Sequence, residues 1–378
     1  YAVAIEAVDD IHISAAFAEV DQDTGNVLSY GFLPEPTYLD PGDGSLIDIG
    51  SSALDVNTSG QIVGTVQNFP LGVDNSSVYK ATLWNDDGNG YSRVQLPELT
   101  GASYSSAKGI NTQGDIVGTT TTSAGTRAIY WDAATMSVTD LNSPATEALG
   151  WELQWANDIN DNGQIVGRGL LDKVDRGFLY DITTQEITAI PLVDPTVGNM
   201  GIQINANGRV VGDAWNGEDY PYGEDADIYT AYSWVSPGLD PELYPSATGN
   251  TASVFGINDS DAAVGLSIVP DASLPLPEGV ATLWESDADG IIQAIDLQNE
   301  IPSKPNYTLK NAIDINNDGW ITAQASKFRK GNYTRHTLLL VPNGEAASAA
   351  FAMSVIPEPS SLGLLAVGVL GFTLRTRR

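Results

Sequence analysis

The sequence predicts an all-β chain folded as a β-propeller. Three observations carry that reading: a phrase repeated six times, an apolar strand phrase downstream of each copy, and alternating apolar and polar residues in both. The copies are ALDVNTSGQIVG from Ala53, AKGINTQGDIVG from Ala107, ANDINDNGQIVG from Ala156, GIQINANGRVVG from Gly201, VFGINDSDAAVG from Val254 and AIDINNDGWITA from Ala312. Their shared core is apolar-Asn-x-x-Gly-x-apolar-apolar-Gly. The asparagines, Asn57, Asn111, Asn160, Asn205, Asn258 and Asn316, stand 54, 49, 45, 53 and 58 residues apart.

Each phrase reads as two short strands joined by a tight turn, in which Asn bonds the turn backbone and Gly supplies a positive φ. A further strand follows: ATLW at Ala81, AIYW at Ala128, GFLY at Gly177, AYSW at Ala231, ATLW at Ala281 and HTLLL at His336. Phrases such as SVTDL from Ser137, EITAI from Glu186 and IIQAIDL from Ile291 add the next. Four strands in a repeat of about 40 to 50 residues make a propeller blade. Turn chemistry and the period of two exclude a helical solenoid.

The ends set the expected count. AAFAEVDQDTGNVLSYGF from Ala15 resembles a first hairpin and SLIDIG from Ser45 a final strand, which gives a shorter opening blade. The last unit reaches Pro342-Asn343-Gly344 without a fourth strand phrase, while YAVAIEA, Tyr1 to Ala7, is an unassigned alternating strand. The expectation is seven four-stranded blades over residues 1–343, with six or eight as the alternatives because the opening and fifth units are irregular, and with the N-terminal strand completing the last blade and so removing two sheet edges. Residues 344–356 then read as a linker and 357–378 as a C-terminal signal containing an apolar helix. The chain begins at Tyr1, without a start Met or a signal-peptide apolar region, and is expected to be processed or a fragment.

Composition narrows the chemistry. Forty-eight Asp and Glu against 17 Lys and Arg give a net charge of −31, which opposes binding to phosphate backbones, so no nucleic-acid partner is expected. Zero Cys and two His, His12 and His336, remove disulfides, thiolate zinc sites and a cysteine nucleophile. Eight Trp and 15 Tyr argue for a packed chain rather than a disordered acidic one. The sequence has no G-x-S-x-G elbow, no H-E-x-x-H and no phosphate-binding G-x-x-x-x-G-K. The expectation is therefore a protein without enzyme activity.

Two sets of residues compete between turn chemistry and ligand binding. Asp158, Asn160 and Asn162 before Gly163, and Asp314, Asn316 and Asp318 before Gly319, match the first half of the D-x-[DN]-x-[DN]-G calcium loop. They look similar to the calcium turns of integrin-type propeller repeats. Val166 and Thr322, however, stand where that repeat would place Asp, and Gly169 and Ala325 where an EF-hand would place Glu. An Asn-Gly hairpin turn explains the same residues, and calcium is the rival. The turns after Trp84 and Trp284, with Asp87, Asn89, Asp287 and Asp289, pose the same choice. The second set is DAWNGEDYPYGEDADIY from Asp213. Its Trp215, Glu218, Asp219, Tyr220, Tyr222, Glu224, Asp225 and Asp227 form either a solvated insertion or a ligand surface, because aromatic faces stack on sugars while carboxylates bond hydroxyls.

The alternation of GIN-x-x-G-x-IVG with AFLW-like strands resembles the extracellular HAF-type repeat proteins of bacteria, which implies an exported propeller-like domain with no assigned activity. This sequence departs from the pattern at Ser260-Asp261, where the turn glycine is expected. At the C-terminus, Pro357-Glu358-Pro359, an apolar run from Leu362 to Leu374 and the cluster Arg375, Arg377 and Arg378 follow in order. This tail resembles the PEP-CTERM sorting signal of Gram-negative bacteria. That resemblance implies an exosortase partner in the inner membrane, cleavage near the Pro-Glu-Pro, and delivery to the cell surface or matrix. Thirteen helical residues rise about 20 Å, short of a hydrocarbon core of roughly 30 Å, which suits a transient anchor held by its basic end. The function expected is an exported, non-catalytic binding, adhesion or biofilm-matrix module with polysaccharide as a candidate partner. The alternatives are a carboxylate-dependent glycan hydrolase and a self-assembling surface subunit.

Overall fold

A computed structural model of the chain describes residues 5–9, 12–20, 27–32, 37–39, 46–48, 51–68, 78–86, 91–193, 198–215, 229–235, 237–249, 251–269, 278–301, 307–329, 332–342 and 351–355. The repeats form six four-stranded sheets, each an antiparallel meander whose strands pair in chain order. We number them as blades 1 to 6: residues 51–95, 104–140, 151–189, 198–243, 252–296 and 307–355. In each, the repeated phrase supplies the first strand, the turn and the second strand. In blade 3 these are Trp151–Ile159 and Gln164–Leu171, and the GFLY phrase lies in the third strand, Val174–Asp181.

The core lies between blades. Val63, Ala81, Leu83 and Leu96 of blade 1 pack on Ala107, Ile110, Ile116, Ile129 and Trp131 of blade 2. Val117, Ala128 and Leu141 of blade 2 in turn meet Trp151, Leu153, Ala156 and Phe178 of blade 3. The pattern repeats to the last seam, where Val264, Ala281 and Leu283 of blade 5 meet Ala312, Ile321 and Leu338 of blade 6. Both faces of a blade therefore bury apolar side chains, so apolar residues stand side by side at the start of the second strands, as in Ile62-Val63, Ile116-Val117 and Ile165-Val166. Buried indoles satisfy their N–H groups on loop carbonyls, Trp131 on Pro97 at 2.7 Å and Trp284 on Pro245 at 2.6 Å.

The ends differ from the expectation in two ways. Among the described residues six four-stranded blades are present rather than seven. The N-terminal residues form a three-stranded sheet, Ile5–Asp9, His12–Val20 and Val27–Phe32, while Thr37–Leu39 and Leu46–Asp48 pair separately. Nor does the N-terminal strand complete the last blade. Ile5–Asp9 pairs with His12–Val20, and the fourth strand of blade 6 is Phe351–Val355, paired with Asn332–Pro342 from Leu338↔Val355 to Pro342↔Phe351. FAMSV lies inside the stretch read as a linker. It alternates as a strand should, but among small residues that obscure the alternation. The three-stranded sheet still lies between the first and last blades, since Ile5–Asp9 contacts the first strands of both. The apolar helix expected after residue 357 falls outside the described residues, among which no helix is long and apolar enough to cross a membrane.

Candidate functional site: the central channel

Every first strand carries a β-bulge at the same place, between the residues four and two before the repeat asparagine: Ala53/Asp55, Ala107/Gly109, Ala156/Asp158, Gly201/Gln203, Val254/Gly256 and Ala312/Asp314. A bulge sets two residues against one and re-aims their side chains. Leu54, Lys108, Asn157, Ile202, Phe255 and Ile313 accordingly line one cavity of about 480 Å³ together with Asp55, Asp158, Gln203 and Asp314. All six blades contribute, so this cavity is the channel that their first strands enclose.

Below the bulge the repeat asparagines form a belt. Each side-chain oxygen folds back on its own turn, as Asn160 Oδ1 does in accepting from Asn162 N at 3.0 Å and Gln164 N at 3.1 Å. The amides of the first five then reach the next blade. Asn57 Nδ2 donates to Asn111 O at 3.0 Å, Asn111 to Asn160 O at 3.3 Å, Asn160 to Asn205 O at 3.1 Å, Asn205 to Asn258 O at 3.0 Å and Asn258 to Asn316 O at 3.1 Å. Asn57, Asn111, Asn160, Asn205 and Asn258 are buried. The turn glycines Gly60, Gly114, Gly163, Gly208 and Gly319 have φ between +73° and +87°. Asp261 takes that place in blade 5 with φ 65°, and its carboxylate accepts from Asn205 Nδ2 at 2.8 Å and pairs with Arg209 at 3.1 Å. The departure at Ser260-Asp261 thus exchanges backbone ease for two contacts across a seam.

The carboxylates at the bulge also span seams. Asp55 accepts from Val56 N and from Ile110 N of blade 2, both at 2.8 Å. Asp158 accepts from Ile159 N at 2.8 Å and Ile204 N of blade 4 at 2.9 Å. Gln203 Oε1 does the same for Ile257 N of blade 5 at 2.6 Å. Burial pushes the Asp55 carboxyl well above its usual range, aided by the charge of Asp158 and opposed by those two amides. Burial likewise raises Asp158 to about 7 and Asp314 to about 6. Lys108 lines the same channel, with its Nζ 3.0 Å from Asn157 Oδ1. The channel is an open-ended space of mixed lining, in which carboxyl groups from blades 1, 3 and 6 stand beside Leu54, Ile202, Phe255 and Ile313 and can meet hydroxylated or cationic groups.

The residues nominated as calcium ligands are not brought to one point. One oxygen of Asp158 faces the adjacent Ile159 amide and the other the Ile204 amide across the seam, Asn160 Oδ1 faces its own turn, and Asn162 Nδ2 donates to Ala206 O at 3.0 Å. Asp314 accepts from Ile315 N at 2.9 Å, and Asn316 Oδ1 accepts from Asp318 N at 3.1 Å and Trp320 N at 2.8 Å. Among the described residues no three His, Cys, Asp or Glu are arranged to hold a metal ion. Asp287 Oδ1 accepts from Asp289 N at 3.0 Å and Ile291 N at 2.9 Å, while Asp87 and Asn89 lie outside the described residues.

Trp215, nominated for a ligand surface, is buried at the end of the second strand of blade 4. Its ring packs beside Gly198, and the Arg168 guanidinium lies 5.1 Å from it and 5.0 Å from Trp155. Glu218, Asp219, Tyr220, Tyr222, Glu224, Asp225 and Asp227 lie outside the described residues, as do Pro357, Glu358, Pro359, Arg375, Arg377 and Arg378. Sequence reading missed the channel set Asp55, Lys108, Asn157, Gln203 and Asn311. The available signal was their constant offset of two, three or five residues before the repeat asparagine.

Comparison with known proteins gives two matches to families. Residues 15–194 match the family described as protein of unknown function (DUF3466), and residues 355–378 match the PEP-CTERM protein-sorting motif. Neither match names the HAF-type repeat family. No curated protein matches the chain. Similar solved structures include TolB from Acinetobacter baumannii, at 10% identity and a TM-score of 0.43 over 94% of this chain and 79% of that one. An acylaminoacyl peptidase from Pyrococcus horikoshii is 14% identical with a TM-score of 0.47, over 82% of this chain and 46% of its own. An oligogalacturonate lyase from Vibrio parahaemolyticus is 11% identical with a TM-score of 0.44, over 82% and 74%. Likenesses this distant say nothing about substrate or activity. What is established is a β-propeller of four-stranded blades carrying a C-terminal PEP-CTERM tail, which implies an exported protein recognised by an exosortase.

Proposed function

We propose that this protein is an exported, non-catalytic binding module, delivered through its C-terminal tail to the cell surface or the surrounding matrix, where its propeller contacts polysaccharide. The observation that carries the delivery is the PEP-CTERM match at residues 355–378, immediately beyond the last strand of blade 6. The binding half is supported by the channel, whose carboxyl and amide side chains suit hydroxyl groups and stand among apolar ones.

Two measurements test the two halves separately. Replacing Pro357-Glu358-Pro359 by alanines should leave the propeller's melting temperature unchanged and hold the protein in the membrane fraction; equal release of variant and wild type would overturn the delivery. A glycan array probed with the propeller should show saturable binding without released oligosaccharide, and binding lost in Asp158→Asn would place the contact in the channel. A second reading, glycan hydrolysis, is favoured by the Asp158 carboxyl, which holds its proton up to about 7 as a general acid must. Oligosaccharide release that disappears in Asp158→Asn would establish that reading instead.

A further inference from the structure

In blades 1, 2 and 4 the side chain eight residues after the repeat asparagine bonds across the seam to the next blade. In blade 1 it is that of Thr65, whose hydroxyl donates to Ser106 Oγ of blade 2 at 2.6 Å. In blade 2 it is that of Thr119, whose hydroxyl donates to Gln154 O of blade 3 at 2.8 Å. Both pairs are neutral. Blade 4 places Asp213 there, on Val210–Trp215 between Met200 and Ala231 of its own sheet. The residue is 2% exposed. Its Oδ1 accepts from Val254 N of blade 5 at 3.0 Å, and its Oδ2 accepts from the Ser253 hydroxyl.

Among the described residues no positive charge offsets this carboxylate. From the first strand of blade 4 it is met by Met200, from the third by Ala231, and from blade 5 by Ser253 and Val254. None of these four titrates; the group its charge reaches is the neighbouring Tyr232, fully buried on the other face of the sheet, whose hydroxyl donates to Met200 O at 2.8 Å. A buried charge without a partner is costly, whereas the protonated acid fits the same place with no bond lost. Its O–H can donate to Ser253 Oγ while the other oxygen keeps the Val254 amide.

We infer that Asp213 is a proton-operated latch between blades 4 and 5: with the proton on, the seam is closed, and its loss sets an uncompensated charge into the seam and loosens it. Burial raises the carboxyl to about 7, against the pull of the Ser253 and Val254 donors, and the Asp213 charge in turn helps raise the Tyr232 hydroxyl. The sign follows from linkage. The folded chain holds this proton more tightly than the unfolded one, whose Asp titrates near 4, so the added stability is complete below about pH 4 and is lost as pH rises through about 7.

The test uses the full chain with Asp213→Asn, Asp213→Thr, which recreates the neutral pairing of Thr65, and Asp132→Asn as a surface control with the same charge change. Hydrogen exchange of residues 252–257, corrected for the intrinsic pH dependence, is followed from pH 5 to pH 9. Wild type and Asp132→Asn should lose at least tenfold of their protection across pH 6 to 8, and Asp213→Asn and Asp213→Thr should stay flat. Parallel profiles in all four proteins would overturn the latch. Should neither Asp213 variant fold, a carbon NMR titration of the wild-type Asp213 carboxyl decides: a midpoint near 7 supports the latch and one near 4 overturns it.

Discussion

At the scale of single residues, the repeat asparagine does two jobs with one amide. Its oxygen closes the turn and its nitrogen ties that turn to the next blade, a division that Asp or Ser could not reproduce because neither offers both a fixed acceptor and an NH₂ donor. Asn160→Ala removes two backbone-to-oxygen bonds and the bond to Asn205 O. At about 1 kcal/mol net for each buried bond, the loss should be about 2–4 kcal/mol in urea unfolding. Asn162→Ala, which removes one exposed bond to Ala206 O, should cost less than about 1 kcal/mol. Equal effects of the two would mean that the buried bonds of Asn160 contribute no more than one exposed bond. The asparagines themselves were legible from their spacing. That their nitrogens point sideways was not, because a turn motif specifies only its own backbone.

At the scale of elements, the bulged first strand explains where glycine is required. Gly109 and Gly256 sit at the bulge position that Asp55, Asp158 and Asp314 fill in other blades, and the following blade fills the space where a side chain would be. A Cβ on Gly109 would lie 2.8 Å from Asp158 Cα and 3.0 Å from its Oδ1, and one on Gly256 would lie 2.8 Å from Asp314 Oδ1. Gly109→Ala should therefore destabilise by about 1–3 kcal/mol through overpacking across the seam between blades 2 and 3. Asp158→Gly leaves the Asp158 backbone in place, so it should not rescue the variant fully. Unfolding midpoints of the single and double variants check this, and a Gly109→Ala as stable as wild type would show that the seam can give. The strands were legible from alternation and from the Asn-Gly turns. The bulge was not, because a one-residue insertion repeated in every unit looks like part of the repeat.

At the scale of the whole molecule, the position of Phe351–Val355 bears on processing. The strand ends just before Pro357-Glu358-Pro359, so cleavage near that motif leaves all four strands of blade 6 in the released domain. A chain ending at residue 356 should melt with the full-length protein. One ending at residue 350 loses five cross-strand pairs, from Leu338↔Val355 to Pro342↔Phe351. At about 0.2–1 kcal/mol for each pair the cost is about 1–5 kcal/mol, and the newly exposed edge should promote association. Matching melting temperatures for the two truncations would sink the assignment of this strand to the blade.

The sequence by itself determined the repeat, the four-stranded blade, the turn chemistry and the sorting tail, since each depends on residues close together in the chain and on alternation or spacing that survives without a structure. Only the tertiary structure decided how many full blades there are, which strand ends the last one, and which side chains meet in the channel and the seams. Those outcomes depend on pairing between segments far apart. Asp55, Asp158 and Asp314 share one channel across 259 residues of chain. The physical reason is that a strand's pattern records which of its faces is buried, and carries no label for the neighbour that buries it.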